Sequence, residues 1–372
     1  MLSLPPADIR YTKVSMVEEI LTGRFEENKV RMGPESRKDL YEQGYFGKPS
    51  GKGLDLSLVE AVYLLDRSRI LVLPDDADKD RKWLSYKDLF QKSSAREKGF
   101  EFRYVVYKDL RERGYYIQPG RPDFRVYPRG GHPGKTPAEF YVYVLSERMP
   151  VPLEEFLEPV RLAGQVRKRL MVAVVDEESD ITFYEVREKS MIGKMGKSEG
   201  GGKATLLEDR VALWDEVASE NLHHSGFYGK HVGGRLQLSL VESAYLLEKG
   251  AISIADREGK PLDHEEFRKR AKKVEEGFDA KYQVYKDLRD KGLVVKTGFK
   301  FGTHFRVYKQ IEAPDKAPHS EYLVHTLPED YVFPLPVLSR AVRLAHSVRK
   351  EMVFAYPEGN GVKYLEIRRL RP

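Results

Sequence analysis

The stretch LVVKTGFKFGTHFRVYK, residues 293–309, decides how this chain is built. Its apolar residues alternate and are rich in Val, Phe and Tyr, so it predicts two strands around a glycine turn. Its FRVY, Phe305–Tyr308, also stands at Phe124–Tyr127. Just upstream, VYKDLRDKG at Val284–Gly292 repeats VYKDLRERG at Val106–Gly114. Farther out, LQLSLVESAYLL from Leu236 repeats LDLSLVEAVYLL from Leu54, and VRLAHSVRK from Val342 repeats VRLAGQVRK from Val160. The copies keep one order at a spacing of roughly 180 residues, so one ancestral unit has been duplicated and fused.

The repeat divides the chain. The first copy covers residues 1–187, with a mixed sheet over about 100–187. EKSMIGKMGKSEGGGKA, residues 188–204, has little apolar periodicity and reads as a flexible linker. The second copy splits into 205–278 and 279–372. In LSLVESAYLLEKG, Leu240, Ala244 and Leu247 mark one helix face, Ser239 can cap its start and Gly250 can close its end. HEEFRKRAKKVEEGFDAKYQVYKDLRDKG predicts a further helix ending at Gly292. EYLVHTL reads as a strand, LPVLSRAVRLAHSVRKEMVFAYPE as a helix running into a strand, and VKYLEIRRL as the last strand after a turn at residues 359–361. The expected fold class is mixed α+β: a tandem duplication whose repeats each join a helix-rich α/β subdomain to a mixed-sheet subdomain.

Composition narrows the chemistry. The 372 residues include no cysteine, which excludes disulfides, thiolate-held zinc and thiol catalysis and suits a cytoplasmic setting. No apolar run reaches the length of a membrane span, and MLSLPPADIR lacks a secretory pattern. The net charge of +6, with a third of residues charged, is compatible with a polyanionic partner. No His/Asp/Glu cluster has metal-ligand spacing. VKTGFKFG contains glycines but is no phosphate loop, because no GK[ST] follows.

In the second copy, FRVY is followed by HSEYLV, with His319 eleven residues past Tyr308, and by AHSVRK, with Lys350 thirty-one past His319. This series resembles the archaeal tRNA-splicing endonucleases over most of both copies, and the one-active, one-decayed arrangement resembles their duplicated, homodimeric type. The resemblance implies a restriction-endonuclease-like mixed sheet and a catalytic trio at Tyr308, His319 and Lys350. It also implies two arginines that sandwich a bulged base. Arg343, seven before the lysine, fits the first; Arg368 is chosen for the second, with Arg369 the alternative in register. The first copy keeps Tyr127 and Lys168 but carries Pro137 where the histidine belongs, and His132 nearby reads as a loop histidine.

The trio suits RNA. Every phosphodiester there has a nucleophile beside it, the 2′-OH. Its attack needs a base, an acid for the leaving 5′-oxygen and positive charge for the transition state. Histidine is the natural acid, since an imidazole ordinarily titrates near pH 6.5; Lys350 supplies charge. Tyrosine is the harder assignment. With an ordinary pKa near 10, only about one phenol in a thousand is ionised at pH 7, a cost of roughly 4 kcal/mol unless nearby cations favour the phenolate. Without that help, Tyr308 orients the hydroxyl instead. The expected products are a 2′,3′-cyclic phosphate and a 5′-OH, with no cofactor or metal. Taken singly, Tyr308 reads as packing, His319 as a strand-start hydrogen bonder and Lys350 as a solvated helix face; only their order on matching elements favours chemistry. His304, His325 and His346 read as structural.

The resembled substrate is precursor tRNA folded as a bulge–helix–bulge, whose near two-fold symmetry suits a C2 dimer. The resemblance also implies an acidic loop of the non-catalytic copy that docks onto the opposing catalytic unit; Asp176, Glu177, Glu178 and Asp180 fit it, and taken alone they read as a solvated hairpin tip. The alternative function is a non-catalytic RNA-binding or structural subunit. A metal-dependent DNA nuclease would need carboxylates clustered near Lys350, and none are found there.

Overall fold

The computed structural model describes residues 20–75, 83–196, 200–312, 318–359 and 361–372. They form two compact units. The first comprises the described residues up to Pro119 together with Arg129–Lys135, and the second comprises Gly120–Pro128 with Thr136–Pro372. The second unit therefore holds the sheets of the second copy and most of the first copy's mixed sheet. Among the described residues no helix is long and apolar enough to cross a membrane.

In the first unit, a mixed sheet orders the strands Lys48–Ser50, Gly53–Ser57, Lys29–Met32, Leu21–Glu26 and Ile70–Leu73. Helix Leu58–Asp66 opens on a capping box: the Ser57 hydroxyl accepts from the Glu60 amide, and the Glu60 carboxylate accepts from the Ser57 amide. The second unit repeats this with strands Lys230–Val232, Arg235–Leu238, Val211–Leu213, Lys203–Leu206, Ser253–Ala255 and Pro261–Leu262. Its helix Leu240–Glu248 begins at Ser239 with the same box to Glu242. Gly250 follows with φ +69°, the left-handed geometry that ends the helix. The α/β half of each copy thus carries a sheet of its own.

The charged run after Asp263 is two helices rather than one. His264–Val274 stops, Gly277 takes φ +68°, and Phe278–Asp290 begins anew. The break lets Phe267 and Ala271 of the first helix and Phe278, Tyr282 and Tyr285 of the second enter one core.

The large sheet of the second unit joins the two copies. Its order is Val294–Thr297, Phe305–Tyr308, Tyr322–Thr326, Glu351–Glu358, Gly361–Leu370, then Ile181–Glu188, Arg169–Val175, Phe140–Ser146 and Phe124–Val126. The last strands of the copies run antiparallel at the centre, with Val186 opposite Ile367. Each carries a Glu-x-Arg triplet, Glu185-Val186-Arg187 and Glu366-Ile367-Arg368, so the pairing sets each glutamate against the other copy's arginine. Arg368 Nε donates to Glu185 at 2.9 Å and Arg187 Nη2 to Glu366 at 2.8 Å. Helices Leu153–Gln165 and Leu335–Ser347 cover one face over a shared core in which Phe156 and Phe333 meet at 4.9 Å between ring centroids.

The stretch expected to be a flexible linker is held along much of its length. Lys189 reaches Glu366 at 2.9 Å and pairs with Glu351. Gly193 N donates to Lys291 O at 2.9 Å, Lys194 N to Lys309 O at 3.0 Å and Met195 N to Gly292 O at 2.9 Å. A Cβ at Gly193 would collide with the Gly292 backbone. Residues 197–199 lie outside the described residues, as does Asn360 in the expected turn at 359–361.

Candidate active site

Three neighbouring strands bring the three sequence-selected residues to one end of the sheet. Phe305–Tyr308 runs antiparallel to Tyr322–Thr326 with Val307 opposite Tyr322, and Tyr322–Thr326 runs parallel to Glu351–Glu358 with Tyr322 beside Glu351. Tyr308 therefore ends its strand at the level where residues 319–321 enter theirs and Lys350 enters the third. Two hydrogen bonds to Glu321 close this end: Lys309 N donates to its carboxylate at 3.2 Å, and Glu351 N to its backbone O at 2.9 Å.

Tyr308 is only 4% exposed, packed with Phe227, Val294 and Ile311. Strand alternation puts Arg306 on the same face, its guanidinium 5.9 Å from the Tyr308 ring centroid. His319 is exposed just before its strand and has no hydrogen-bond partner among the described residues. Lys350 is not on the helix face that its sequence context suggested. The helix ends at Ser347, Arg349 takes φ +56°, and Lys350 N returns to Ala345 O at 2.9 Å. That turn directs the half-buried ammonium to Ser320 O at 2.7 Å, beside His319, and to 5.6 Å from the Phe301 ring. Burial lowers the Lys350 pKa, the Arg306 charge lowers it further, and Glu321 opposes both.

The corresponding place in the first copy keeps the backbone. Arg167 takes φ +53°, Lys168 N returns to Ala163 O at 2.8 Å, and Tyr127 is buried. Pro137 is exposed at the position matching His319. His132 lies in the first unit, stacked on Tyr45 with centroids 4.6 Å apart. His304 and His325 stack at 4.2 Å, and burial lowers both pKa values, that of His304 to about 3; His304 Nδ1 accepts from Thr326 N at 2.9 Å. His346 is exposed near the end of its helix.

The arginines separate by face. Arg343 is exposed on helix Leu335–Ser347. Arg368 is engaged with the buried Glu185, which also takes Arg169 Nε at 2.8 Å. Arg369 is directly opposite Tyr184. Burial raises the Tyr184 pKa, while the Ser339 hydroxyl and the Arg369 and Arg343 charges oppose the rise. Neither Arg343 nor Arg369 meets a carboxylate among the described residues. The acidic loop is the exposed tip of the hairpin between Arg169–Val175 and Ile181–Glu188. Asp176 accepts from Glu178 N at 3.0 Å and Asp180 N at 2.8 Å, and Glu177 pairs with Arg148. Among the described residues no group of three His, Cys, Asp or Glu side chains is placed to hold a metal ion.

The match to known proteins is near full length. The description "tRNA intron endonuclease, catalytic C-terminal domain" matches residues 100–183 and again 278–364, and "tRNA intron endonuclease, N-terminal domain" matches 21–89 and 202–268. The chain belongs to the tRNA intron endonuclease family. The tRNA-splicing endonuclease of Methanococcoides burtonii is 51% identical over 92% of this chain and 98% of its own length. That of Methanosarcina mazei is 51% identical over 95% and 99%, and that of Halobacterium salinarum 36% identical over 95% and 100%.

Three residues of this family member around Tyr308 escaped sequence reasoning. Lys296 is largely buried and donates to Phe227 O and Gly229 O, each at 2.7 Å, so it fixes the turn that lays Phe227 on Tyr308. Burial lowers its pKa, and Glu242, 3.7 Å away, opposes the fall. Met195, from the supposed linker, packs on the same cluster. Arg306 was legible only as the second letter of FRVY. Strand alternation through FRVY could have flagged Arg306; nothing in the sequence flags Met195.

Proposed function

We propose that this chain excises introns from precursor tRNA by cutting both splice sites of a bulge–helix–bulge. The 2′-OH attacks the adjacent phosphate, giving a 2′,3′-cyclic phosphate and a 5′-OH. Tyr308 receives or orients the hydroxyl proton, His319 protonates the leaving 5′-oxygen, and Lys350 supplies charge to the transition state. The observation that carries this reading is the strand register that brings Tyr308, His319 and Lys350 to one end of the sheet. The exposure of His319 and its lack of a partner suit a group that must meet substrate, and the Arg306 guanidinium, 5.9 Å from the Tyr308 ring centroid, adds a cation beside the phenol.

Base recognition falls to Arg343 with a partner from the last strand. Arg369 is favoured over Arg368, because Arg368 is held by Glu185 whereas Arg369 and Arg343 bear on the same phenol. A base between two guanidiniums gains about 1–2 kcal/mol of cation–π energy.

Two copies would cut two sites, with Asp176, Glu177, Glu178 and Asp180 of each docking on the other. A cleft of about 580 Å³ beside the site is lined by Arg210, Lys230, Lys296 and Arg306 together with Asp209, Glu242 and Glu275. Its Lys230 and Arg306 have no carboxylate partner among the described residues, and Arg306 Nε is buried without a hydrogen bond. Reversing the loop charges should yield monomers in ultracentrifugation.

The test is cleavage of a bulge–helix–bulge RNA by the purified chain in EDTA, followed by end-group analysis. Cyclic phosphate and 5′-OH ends are expected. Strict magnesium dependence, or 3′-OH ends, would overturn the mechanism. RNA binding without cleavage would return the chain to a non-catalytic subunit.

A further inference from the structure

Phe299 is 86% exposed, although phenylalanine is among the residues most often buried. It begins the short 3₁₀ turn Phe299–Phe301, and that turn is firmly fixed. Phe301 N donates to Gly298 O at 2.7 Å, Gly302 N to Phe299 O at 3.0 Å and Gly298 N to His304 O at 3.0 Å. The Phe299 amide itself donates to Thr297 Oγ1 at 3.3 Å. Gly302 has φ +62°, and a Cβ at Gly298 would press on the Phe305 backbone. Phe301 turns inward onto the core, where the Lys350 ammonium lies over its ring. The exposed ring is thus mounted two residues from a direct neighbour of Lys350. Lys300 between them is exposed and has no carboxylate partner among the described residues.

The first copy has no such feature. Twelve residues separate Gly292 from Phe305, but nine separate Gly114 from Phe124, and GRPD at residues 120–123 contains no aromatic side chain. The longer turn belongs to the copy with the intact trio.

We propose that Phe299 is a stacking platform for an unpaired base of the RNA next to the cut, with Lys300 meeting an adjacent phosphate. A rigid ring orders at little entropic cost on binding, and aromatic rings beside cations are how proteins hold unstacked bases. The occupant argued for is a nucleobase rather than a second copy of this chain, because the platform abuts the lysine of the site and carries its own cation. The inference rests on the proposed function and adds a substrate contact to it.

The experiment uses the full chain and a bulged RNA with a 2′-deoxy substitution at the cut, which binds without reacting. Phe299→Ala should weaken binding of this RNA about tenfold, with an unchanged melting temperature because the ring is exposed. Phe299→Trp should restore affinity, and its added fluorescence should be quenched by bulged RNA but not by a fully paired duplex. Affinity within twofold of the parent for Phe299→Ala overturns the inference. So does conversion of a dimer to monomers with RNA affinity retained, which would make the ring a contact between copies. If the parent fails to cut the unmodified RNA, the proposed function falls, while the binding arm still decides the role of Phe299.

Discussion

The two copies share a backbone and differ in what neutralises their charges. Helix Leu153–Gln165 carries Glu154, Glu155 and Glu158, and its Arg161 is taken by Glu154 and by Glu358, the latter at 3.2 Å. The matching helix Leu335–Ser347 has no acid, and its Arg340 and Arg343 are exposed without carboxylate partners among the described residues. An acid in the first turn of a helix is favourable to its dipole, so the second helix forgoes a local stabilisation that the first keeps. On the last strands the contrast repeats: Glu188 of the first copy matches Arg369 of the second. The fold tolerates either pattern. Open positive charge on this helix therefore accompanies the copy that keeps Tyr308, His319 and Lys350, whereas the matching arginine of the other copy is paired.

The copies differ most sharply where Pro137 stands against His319. His319→Ala should lower cleavage of bulged RNA about a thousandfold by removing the acid, with binding of the 2′-deoxy RNA retained. Adding Pro137→His to that variant should recover nothing measurable in single-turnover assays, because the first copy's Arg161 is already paired. Recovery there would mean that Pro137 alone silenced the first copy.

A milder exchange concerns the arginines. Arg343→Ala and Arg369→Ala should each reduce kcat/KM about tenfold, the worth of one cation–π contact. Arg161→Ala should change it less than about twofold, since a surface pair contributes little. Equal losses for Arg161 and Arg343 would show that helix charge, and not an open site, sets RNA affinity.

What the sequence disclosed follows from what is local. The repeat, the Ser239 cap and the alternating strands are carried by neighbours in the chain, and the spacing of Tyr308, His319 and Lys350 is a motif. The missed features depend on distant partners. Residues 188–196 lack apolar periodicity, yet the carbonyls of Lys291, Gly292 and Lys309 hold them. Gly277 sits within a charged run whose helical spacing continues across it, so the break shows only in φ. Arg368 and Arg369 are adjacent, and a strand sends adjacent side chains to opposite faces. Composition cannot choose between them; the register against Glu185 and Tyr184 separates them.

The smallest expected effect tests the seam where the copies meet. Glu185 is 4% exposed, and the Arg169 hydrogen bond, opposed by burial and reinforced by Arg368, holds its pKa down to about 2. An unfolded glutamate takes up its proton near 4.5, so between these values the unfolded chain binds more protons than the native one. The contribution is therefore complete above pH 4.5 and drains away as the pH falls toward 2. Glu185→Gln should lower the melting temperature at pH 7 and flatten its fall between pH 5 and pH 2.5. Arg368→Ala leaves Arg169 in place and should give an intermediate slope. A slope in Glu185→Gln as steep as the parent's would place the acid sensitivity elsewhere, and the paired Glu-x-Arg triplets would then mark common ancestry without holding the copies together.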